Sequence, residues 1–152
     1  MGRLTSLDLP GLPGRAALMA LAAAGALAID FASKQIAVAA EPSTLLFHVS
    51  DRDTFGLGTS MILLAAAGSL LACVLPVRVV ALGAGAALGG ALGNLASRHW
   101  WSDLGGSPDF IRFADGSTGN VADLCIAAGA TTMLLGSIAW LAWTVVAARR
   151  AG

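Results

Sequence analysis

The chain has 152 residues, of which 57% are hydrophobic and only 12% are charged, and it contains 19 glycines but no tyrosine. This composition excludes an ordinary soluble domain and is typical of helices that pack closely within lipid, so we interpret the chain as an integral membrane protein. Its formal net charge of zero conceals an uneven distribution, so the positions of the charges are more informative than their sum.

The first predicted element is a flexible basic leader, residues 1–15, because closely spaced prolines and glycines oppose a helix there. The apolar run over 16–40 is long enough for one spanning helix of about 20 residues or more. Asp30 and Lys34 interrupt this run four residues apart, so they share a helix face and can pair, with Lys34 reaching towards the outer headgroups. A secretory signal peptide cleaved near Ala39 is the weaker alternative.

The next segment, 41–58, is polar enough to leave the bilayer, and its Thr-Leu-Leu-Phe-His-Val stretch predicts a small β element outside the membrane. The whole segment could close over a substrate bound at the same face. Residues 59–75 predict a second spanning helix of minimal length, which ends at Pro76.

A third spanning helix is predicted over 79–95, after a turn of only three residues. Every fourth position of its second half is a glycine, which favours close approach of a neighbouring helix and could leave room for a helical substrate; these glycines are Gly85, Gly89 and Gly93. A second outer segment covers 96–120, and residues 121–148 predict the fourth spanning helix.

Four spans place both termini and the turn at Pro76 on one side of the membrane. That side carries five arginines against one acidic residue, namely Arg3, Arg15, Arg78, Arg149 and Arg150 against Asp8. The opposite side carries most of the acidic residues, in the two outer segments. By the positive-inside rule the termini are cytoplasmic, and the outer segments face away from the cytoplasm. The predicted fold is a single all-α membrane domain, a four-helix transmembrane bundle with a small extracytoplasmic β element.

Polar side chains near the spans are the candidate functional residues, because each charge buried in lipid costs at least ~2.5–3.5 kcal/mol. Asn94 and Arg98 are four apart at the outer end of the third helix, where a simple polar helix end is an equal alternative. Asp123 follows Asn120 by three positions, a spacing that also suits capping of the fourth helix. Asp109 follows Pro108 and, taken alone, resembles an ordinary loop acid.

Together, Asp109 and Asp123 predict a dyad. Two carboxylates brought close at a membrane surface share one proton, so that one acts as general base and the other as general acid. Such a pair activates water for peptide hydrolysis without a Ser or Cys nucleophile. Asp123, at a helix N-terminus, is expected to be ionised, and Asp109, beside Phe110 and Ile111, to hold the proton. The two histidines have no Cys or His cluster nearby, so we expect neither a metal nor another cofactor.

Four short motifs, in this order along most of the chain, resemble the lipoprotein signal peptidase (signal peptidase II) family. They are Asp-Phe-Ala-Ser-Lys over 30–34, Gly-Gly-Ala-Leu-Gly-Asn ending at Asn94 and followed by Arg98, Pro-Asp-Phe with Asp109, and Asn-Val-Ala-Asp with Asn120 and Asp123. The resemblance implies a four-helix bundle with a small extracytoplasmic β platform. It also implies that Asp109 and Asp123 are the catalytic aspartates. The remaining matched residues would bind substrate or support the site, namely Asn94, Arg98, Asn120, Asp30 and Lys34.

The activity implied by the resemblance is that of an intramembrane aspartyl endopeptidase of the bacterial cell (inner) membrane. It would remove signal peptides from prolipoproteins, cutting just before the diacylglyceryl-cysteine. The implied partners are those signal peptides, membrane lipids and globomycin-type inhibitors, and no nucleic acid is expected.

The sequence departs from the family pattern at three places. Ser97 stands where the family usually has an aspartate, residues 52–56 replace an Asn-rich turn, and residues 115–119 replace apolar residues. These departures predict a divergent member with reduced activity. Two other readings stay open: a catalytically silent relative that binds lipoprotein signal peptides or lipid, and a small proton-linked transporter using Asp30, Lys34 and Asp123. The transporter reading is weakened because the four spans contain no visible inverted repeat.

Overall fold

The computed structural model describes residues 11–40, 43, 45–48, 67–69, 72 and 74–151. This part of the chain is mostly helical, as expected for an all-α membrane protein. Three of its helices are long and apolar enough to span a membrane. They are α1 (Leu12–Ala40), α2 (Arg78–Trp100) and α3 (Val121–Ala151). Most of the predicted second span, 59–75, and most of the predicted closing segment, 41–58, lie outside the described residues.

The helix boundaries correct the predicted leader. Helix α1 begins at Leu12, so residues 12–15 are helical although the prolines and glycines were expected to prevent this. The reason is that Pro13 lies in the first turn, where no backbone N–H is needed for a helical hydrogen bond. Helix α2 continues to Trp100, five residues beyond the expected end, because the polar side chains of its last turns face partners inside the protein.

Glycines on α2 bring the three helices into close contact. A Cβ at Gly85 would collide with the backbone of Met19, and one at Gly93 would lie 2.6 Å from Asp30 Oδ2. On the side that faces α3, a Cβ at Gly83 would lie 2.7 Å from the carbonyl oxygen of Gly129. The predicted close approach is therefore confirmed. The room expected for a helical substrate along this glycine face is instead filled by α1.

The described residues include four short strands, which lie beside the ends of the helices. Strand β1 (Leu46–His48) pairs antiparallel with β2 (Ser107–Asp109). Strands β3 (Ile111–Arg112) and β4 (Thr118–Gly119) form a second antiparallel pair. The Phe110 N–H donates a hydrogen bond to the Gly119 carbonyl at 3.0 Å, so the residue after β2 is held against the end of β4.

Aromatic side chains mark the end of α2 that lies near these strands. The Phe31 ring lies 5.4 Å from the Trp100 ring and 5.2 Å from the Trp101 ring, measured between centroids. Trp101 is buried, whereas Trp100 is 64% exposed. Exposed tryptophan is enriched where a spanning helix meets the headgroup region, so this end of the bundle has the character of a membrane interface.

Candidate active site

The polar ends of the helices and the strands enclose a cavity of about 270 Å³. Five of the residues predicted from the sequence line it, together with Ser107 and Thr118: Asn94, Arg98, Asp109, Asn120 and Asp123. The other two predicted residues, Asp30 and Lys34, are fully buried and do not line the cavity. Lys34 contacts Asn94, which lines the cavity, and Asp30 contacts Lys34.

Asn120 connects the two candidate acids. Its side-chain Nδ2 donates a hydrogen bond to Asp109 Oδ1 at 2.7 Å. Its backbone N–H donates to Asp123 Oδ2 at 2.9 Å, and its Oδ1 accepts the Asp123 backbone N–H at 3.3 Å. The last two bonds form a capping box at the start of α3. The sequence left two alternatives for Asp123, capping of the helix and membership of the site. Asp123 does both, because it caps α3 and also lines the cavity.

Asp109 reaches the cavity from the end of β2. Pro108 has no backbone N–H and so cannot donate a hydrogen bond to a neighbouring strand. It is tolerated here because β2 is only three residues long. The side chain of Asp109 is largely withdrawn from solvent, since the residue is 7% exposed. A carboxyl group is therefore presented to the cavity from a buried strand and not from a mobile loop tip.

Asp123 receives a third contact from α2. Asn94 Nδ2 donates a hydrogen bond to Asp123 Oδ1 at 2.8 Å. Because the Asn120 N–H occupies the other oxygen, both oxygens of Asp123 accept hydrogen bonds from nitrogen. The side chain of Asp123 is held in place by donors from α2 and from the start of α3.

Asp30 and Lys34 form an ion pair behind the cavity. Lys34 Nζ lies 2.8 Å from Asp30 Oδ2, and both side chains are completely buried. Lys34 Nζ also donates to Asn94 Oδ1 at 2.9 Å and to Ser97 Oγ at 2.9 Å. Asp30 Oδ1 accepts the backbone N–H of Ala122 at 2.8 Å. The predicted pairing is present, but Lys34 turns inward because three acceptors are available there, and it does not reach towards the headgroups.

Three residues of the site were missed as contributors by the sequence reasoning. Ser97 had been counted only as a departure from the family pattern, yet it accepts a hydrogen bond from Lys34. Its position three residues after Asn94, on the same helix face, is the signal that could have identified it. Ser107 and Thr118 have no comparable signal, since they reach the cavity through strand pairing.

A second cavity, of about 300 Å³, also borders Asp109. Asp109 and Thr118 line both cavities. The second cavity is otherwise bordered by apolar side chains and one cation, from Leu45, Leu46, Phe110 and Arg112. Asp109 thus borders a polar cavity and a second one with mixed polar and apolar walls.

The segment 115–119 starts in a turn and ends in β4, where Thr118 lines the cavity. Hydrogen bonds from the Ser117 hydroxyl and backbone N–H lower the pKa of Asp115, which is exposed. In the described part of the chain, no group of three or more His, Cys, Asp or Glu side chains is arranged to hold a metal ion.

Comparison with known proteins gave one match. The model of the family described as signal peptidase (SPase) II matches residues 22–139. This range contains both candidate acids and all the residues that surround them. No curated protein and no solved structure matched the chain.

Proposed function

The chain belongs to the signal peptidase II family, and we propose that it is a membrane endopeptidase that removes signal peptides from lipid-modified prolipoproteins with Asp109 and Asp123 as its catalytic dyad. The observation that carries this proposal is the bridge that Asn120 makes between the two acids. One residue donates hydrogen bonds to both carboxyl groups, at 2.7 Å and 2.9 Å, and both groups line one cavity.

The two acids have different roles in the proposed reaction. Asp123, with hydrogen-bond donors on both oxygens, is the general base, and buried Asp109 carries the shared proton. The oxygen of a water molecule attacks the carbonyl carbon of the scissile peptide bond while Asp123 takes a proton from that water. Asp109 gives its proton to the carbonyl oxygen, and a tetrahedral diol forms.

The second half of the reaction reverses these transfers. Asp123 gives its proton to the leaving nitrogen and the carbon–nitrogen bond breaks. Asp109 takes back a hydroxyl proton as the carbonyl re-forms. Each acid ends in its starting state, so no additional nucleophile or reactant is required.

The charges of the site support a dyad that holds one proton. Arg98 lines the cavity, and Lys34 and Asp30 are paired behind it. With one proton on the dyad, the two cations balance the two carboxylate charges that remain. Such a balance lowers the cost of a polar cluster at the edge of a bilayer. Arg98 is also available to interact with the carbonyl oxygen of a bound substrate.

The location of the cavity suits a substrate that is itself a membrane anchor. The cavity lies near Trp100 and Trp101, where the bundle has the character of an interface, so water can reach the acids while an apolar signal peptide stays in lipid. Because Asp109 borders both cavities, we propose that the substrate chain before the scissile bond occupies one of them and the chain after it occupies the other. The acyl chains of the modified cysteine would remain in the bilayer.

Cleavage of a purified, diacylglyceryl-modified prolipoprotein tests the proposal. Wild type is expected to release the signal peptide, and a globomycin-type inhibitor should block this. Asp109→Asn and Asp123→Asn should each reduce kcat by at least about 10³-fold, because each removes a required proton transfer. Asp103→Asn is the matched control, since Asp103 is an exposed acid near the same helix end, and it should cleave normally.

Two outcomes would overturn the proposal. Wild type that binds the prolipoprotein without cleaving it would identify a silent relative. Cleavage that survives either of the two Asn substitutions would exclude the dyad.

A further inference from the structure

Thr118 lies where the two cavities beside Asp109 meet. It lines both the polar cavity of about 270 Å³ and the second cavity of about 300 Å³. Asp109 is the only other described residue that lines both of them. In the proposed reaction Asp109 acts on the scissile peptide bond, so the substrate chain must pass this junction. Thr118 therefore lies beside the substrate, close to the bond that breaks.

The hydroxyl group of Thr118 is available for binding. It makes no hydrogen bond to any described residue. Among the described residues, no side-chain nitrogen or oxygen is both buried and without a hydrogen-bond partner, so the Thr118 oxygen must be open to the cavities that the residue lines. A hydroxyl group can donate one hydrogen bond and accept others. Thr118 thus presents a donor and an acceptor that the described part of the protein does not use.

The position of Thr118 relative to the two candidate acids is fixed by its neighbour in β4. The Gly119 carbonyl accepts the Phe110 N–H at 3.0 Å, which holds β4 against the residue that follows Asp109. A Cβ at Gly119 would lie 2.8 Å from Asp123 Oδ2, so β4 also lies directly against the second acid. Because a strand holds it between the acids, the Thr118 hydroxyl occupies a defined place in the site.

The pairing of β3 with β4 shows which face of this ribbon borders the second cavity. Thr118 is paired with Arg112, and Gly119 with Ile111. Residues directly opposite one another lie on the same face of a sheet, and successive residues lie on alternate faces. Arg112 lines the second cavity together with Thr118, whereas Ile111 does not. The side chain of Thr118 is therefore on the face that a substrate would contact.

We propose that Thr118 is a substrate-binding residue whose hydroxyl forms a hydrogen bond with a backbone peptide group of the prolipoprotein next to the scissile bond. The partner is assigned to the backbone because every prolipoprotein has peptide groups at this point, whatever its side chains are. Thr118 takes no part in the proton transfers of the reaction. This inference rests on the proposed function, because it assigns a contact to the proposed substrate.

Thr118→Val removes the hydroxyl and keeps the shape and the branching of the side chain, so β4 is retained. KM for the diacylglyceryl-modified prolipoprotein should rise about 3–10-fold, because one hydrogen bond to the bound substrate is lost. The same bond is present in the transition state, so kcat should change little. Thr118→Ser keeps the hydroxyl and should restore KM to within about twofold of wild type.

Thermal unfolding in detergent separates a substrate contact from a structural role. Since the Thr118 hydroxyl has no hydrogen-bond partner among the described residues, Thr118→Val should unfold at the temperature of wild type or above it. Thr131→Val is the matched control, because the Thr131 hydroxyl bonds the Ala127 carbonyl of its own helix at 2.8 Å, and its KM should be unchanged. A destabilised Thr118→Val, or a Thr118→Ser variant that does not restore KM, would refute the substrate contact.

Altered substrates identify the group that Thr118 binds. In two depsipeptide substrates, an ester replaces the peptide group immediately before or immediately after the scissile bond. This removes an N–H and weakens the carbonyl as an acceptor. One of the esters should raise KM for wild type and cause no further rise in Thr118→Val, because both changes remove the same hydrogen bond. Independent, multiplying effects with both esters would exclude a backbone partner.

Binding without turnover distinguishes failure of this inference from failure of the peptidase activity. Asp123→Asn is expected not to cleave, so its Kd for a fluorescent, diacylglyceryl-modified prolipoprotein can be measured directly. Adding Thr118→Val should raise this Kd by the same factor of about 3–10. Equal Kd values would overturn the inference even if wild type cleaves. A raised Kd would support the inference even if wild type does not cleave.

Discussion

Asn120 has two separable roles, since it caps α3 and also contacts both candidate acids. Asn120→Ala should destabilise the protein by about 1 kcal/mol through loss of the cap. It should also lower kcat/KM by ~10–100-fold, because the hydrogen bond to Asp109 is lost. Thermal unfolding in detergent and cleavage kinetics measure the two effects.

Asn120→Ser separates these roles. A serine oxygen can still accept the Asp123 N–H but cannot reach Asp109, so stability should return while kcat/KM stays low. Full activity in Asn120→Ser would mean that the contact with Asp109 does not contribute to cleavage.

The residues of the candidate site differ in how far the sequence could predict them. The spacing of Asn120 and Asp123 predicted a cap, and the structure contains it. The direction of Lys34 could not be predicted, because it depends on acceptors that lie about 60 positions away in the chain. The spacing of residues along the sequence predicts which side chains share a helix face. It does not predict which side chains of the neighbouring helix lie against that face.

At the scale of the elements, α1 and α2 approach most closely beside the ion pair. A methyl group at Gly93 would lie 2.6 Å from Asp30 Oδ2. This distance is shorter than a van der Waals contact between a carbon and an oxygen atom. Gly93→Ala should therefore push the carboxylate away from Lys34. We expect a loss of stability of ~1–3 kcal/mol from overpacking, together with reduced cleavage.

Gly25→Ala provides the control for this change. Gly25 also lies within a spanning helix, but an added Cβ there would meet nothing within 4 Å. This variant should be at least as stable as wild type, since alanine favours a helix more than glycine does. Equal thermal stability of the two variants would show that the contact between α1 and α2 at Gly93 is not as close as described.

The helices and the strands were not equally predictable from the sequence. Long apolar runs predicted where α1, α2 and α3 lie, with errors only at the ends, and the glycine spacing on α2 predicted close packing. The pairing of β1 with β2 was not predicted, because it joins segments about 60 residues apart, and three-residue strands carry little pattern of their own. Since β2 ends at Asp109, the least predictable pairing is the one that presents a candidate acid.

For the whole molecule, the direction of the helices bears on how often the chain crosses the membrane. The numbers of the residues in contact between α1 and α2 increase in the same direction along both helices, from Met19 with Gly85 to Asp30 with Gly93. These two helices therefore run parallel. Strand β1 lies at one end of them, beside β2, whereas the Val74 carbonyl lies at the other end, within 3.4 Å of the Arg15 side chain. The chain between β1 and Val74 must therefore connect opposite ends of the bundle.

This connection leads us to propose four crossings, with both termini in the cytoplasm. Single cysteines introduced into a variant that lacks Cys73 and Cys125 test it in intact cells with a maleimide that does not cross membranes. Asp103→Cys, near the cavity, should be labelled from outside, whereas Thr5→Cys and Arg150→Cys should be labelled only after permeabilisation. The arginines near both termini favour this orientation over its reverse. Three crossings would instead expose one terminus, and labelling of Thr5→Cys or Arg150→Cys alone in intact cells would therefore refute the four-crossing arrangement.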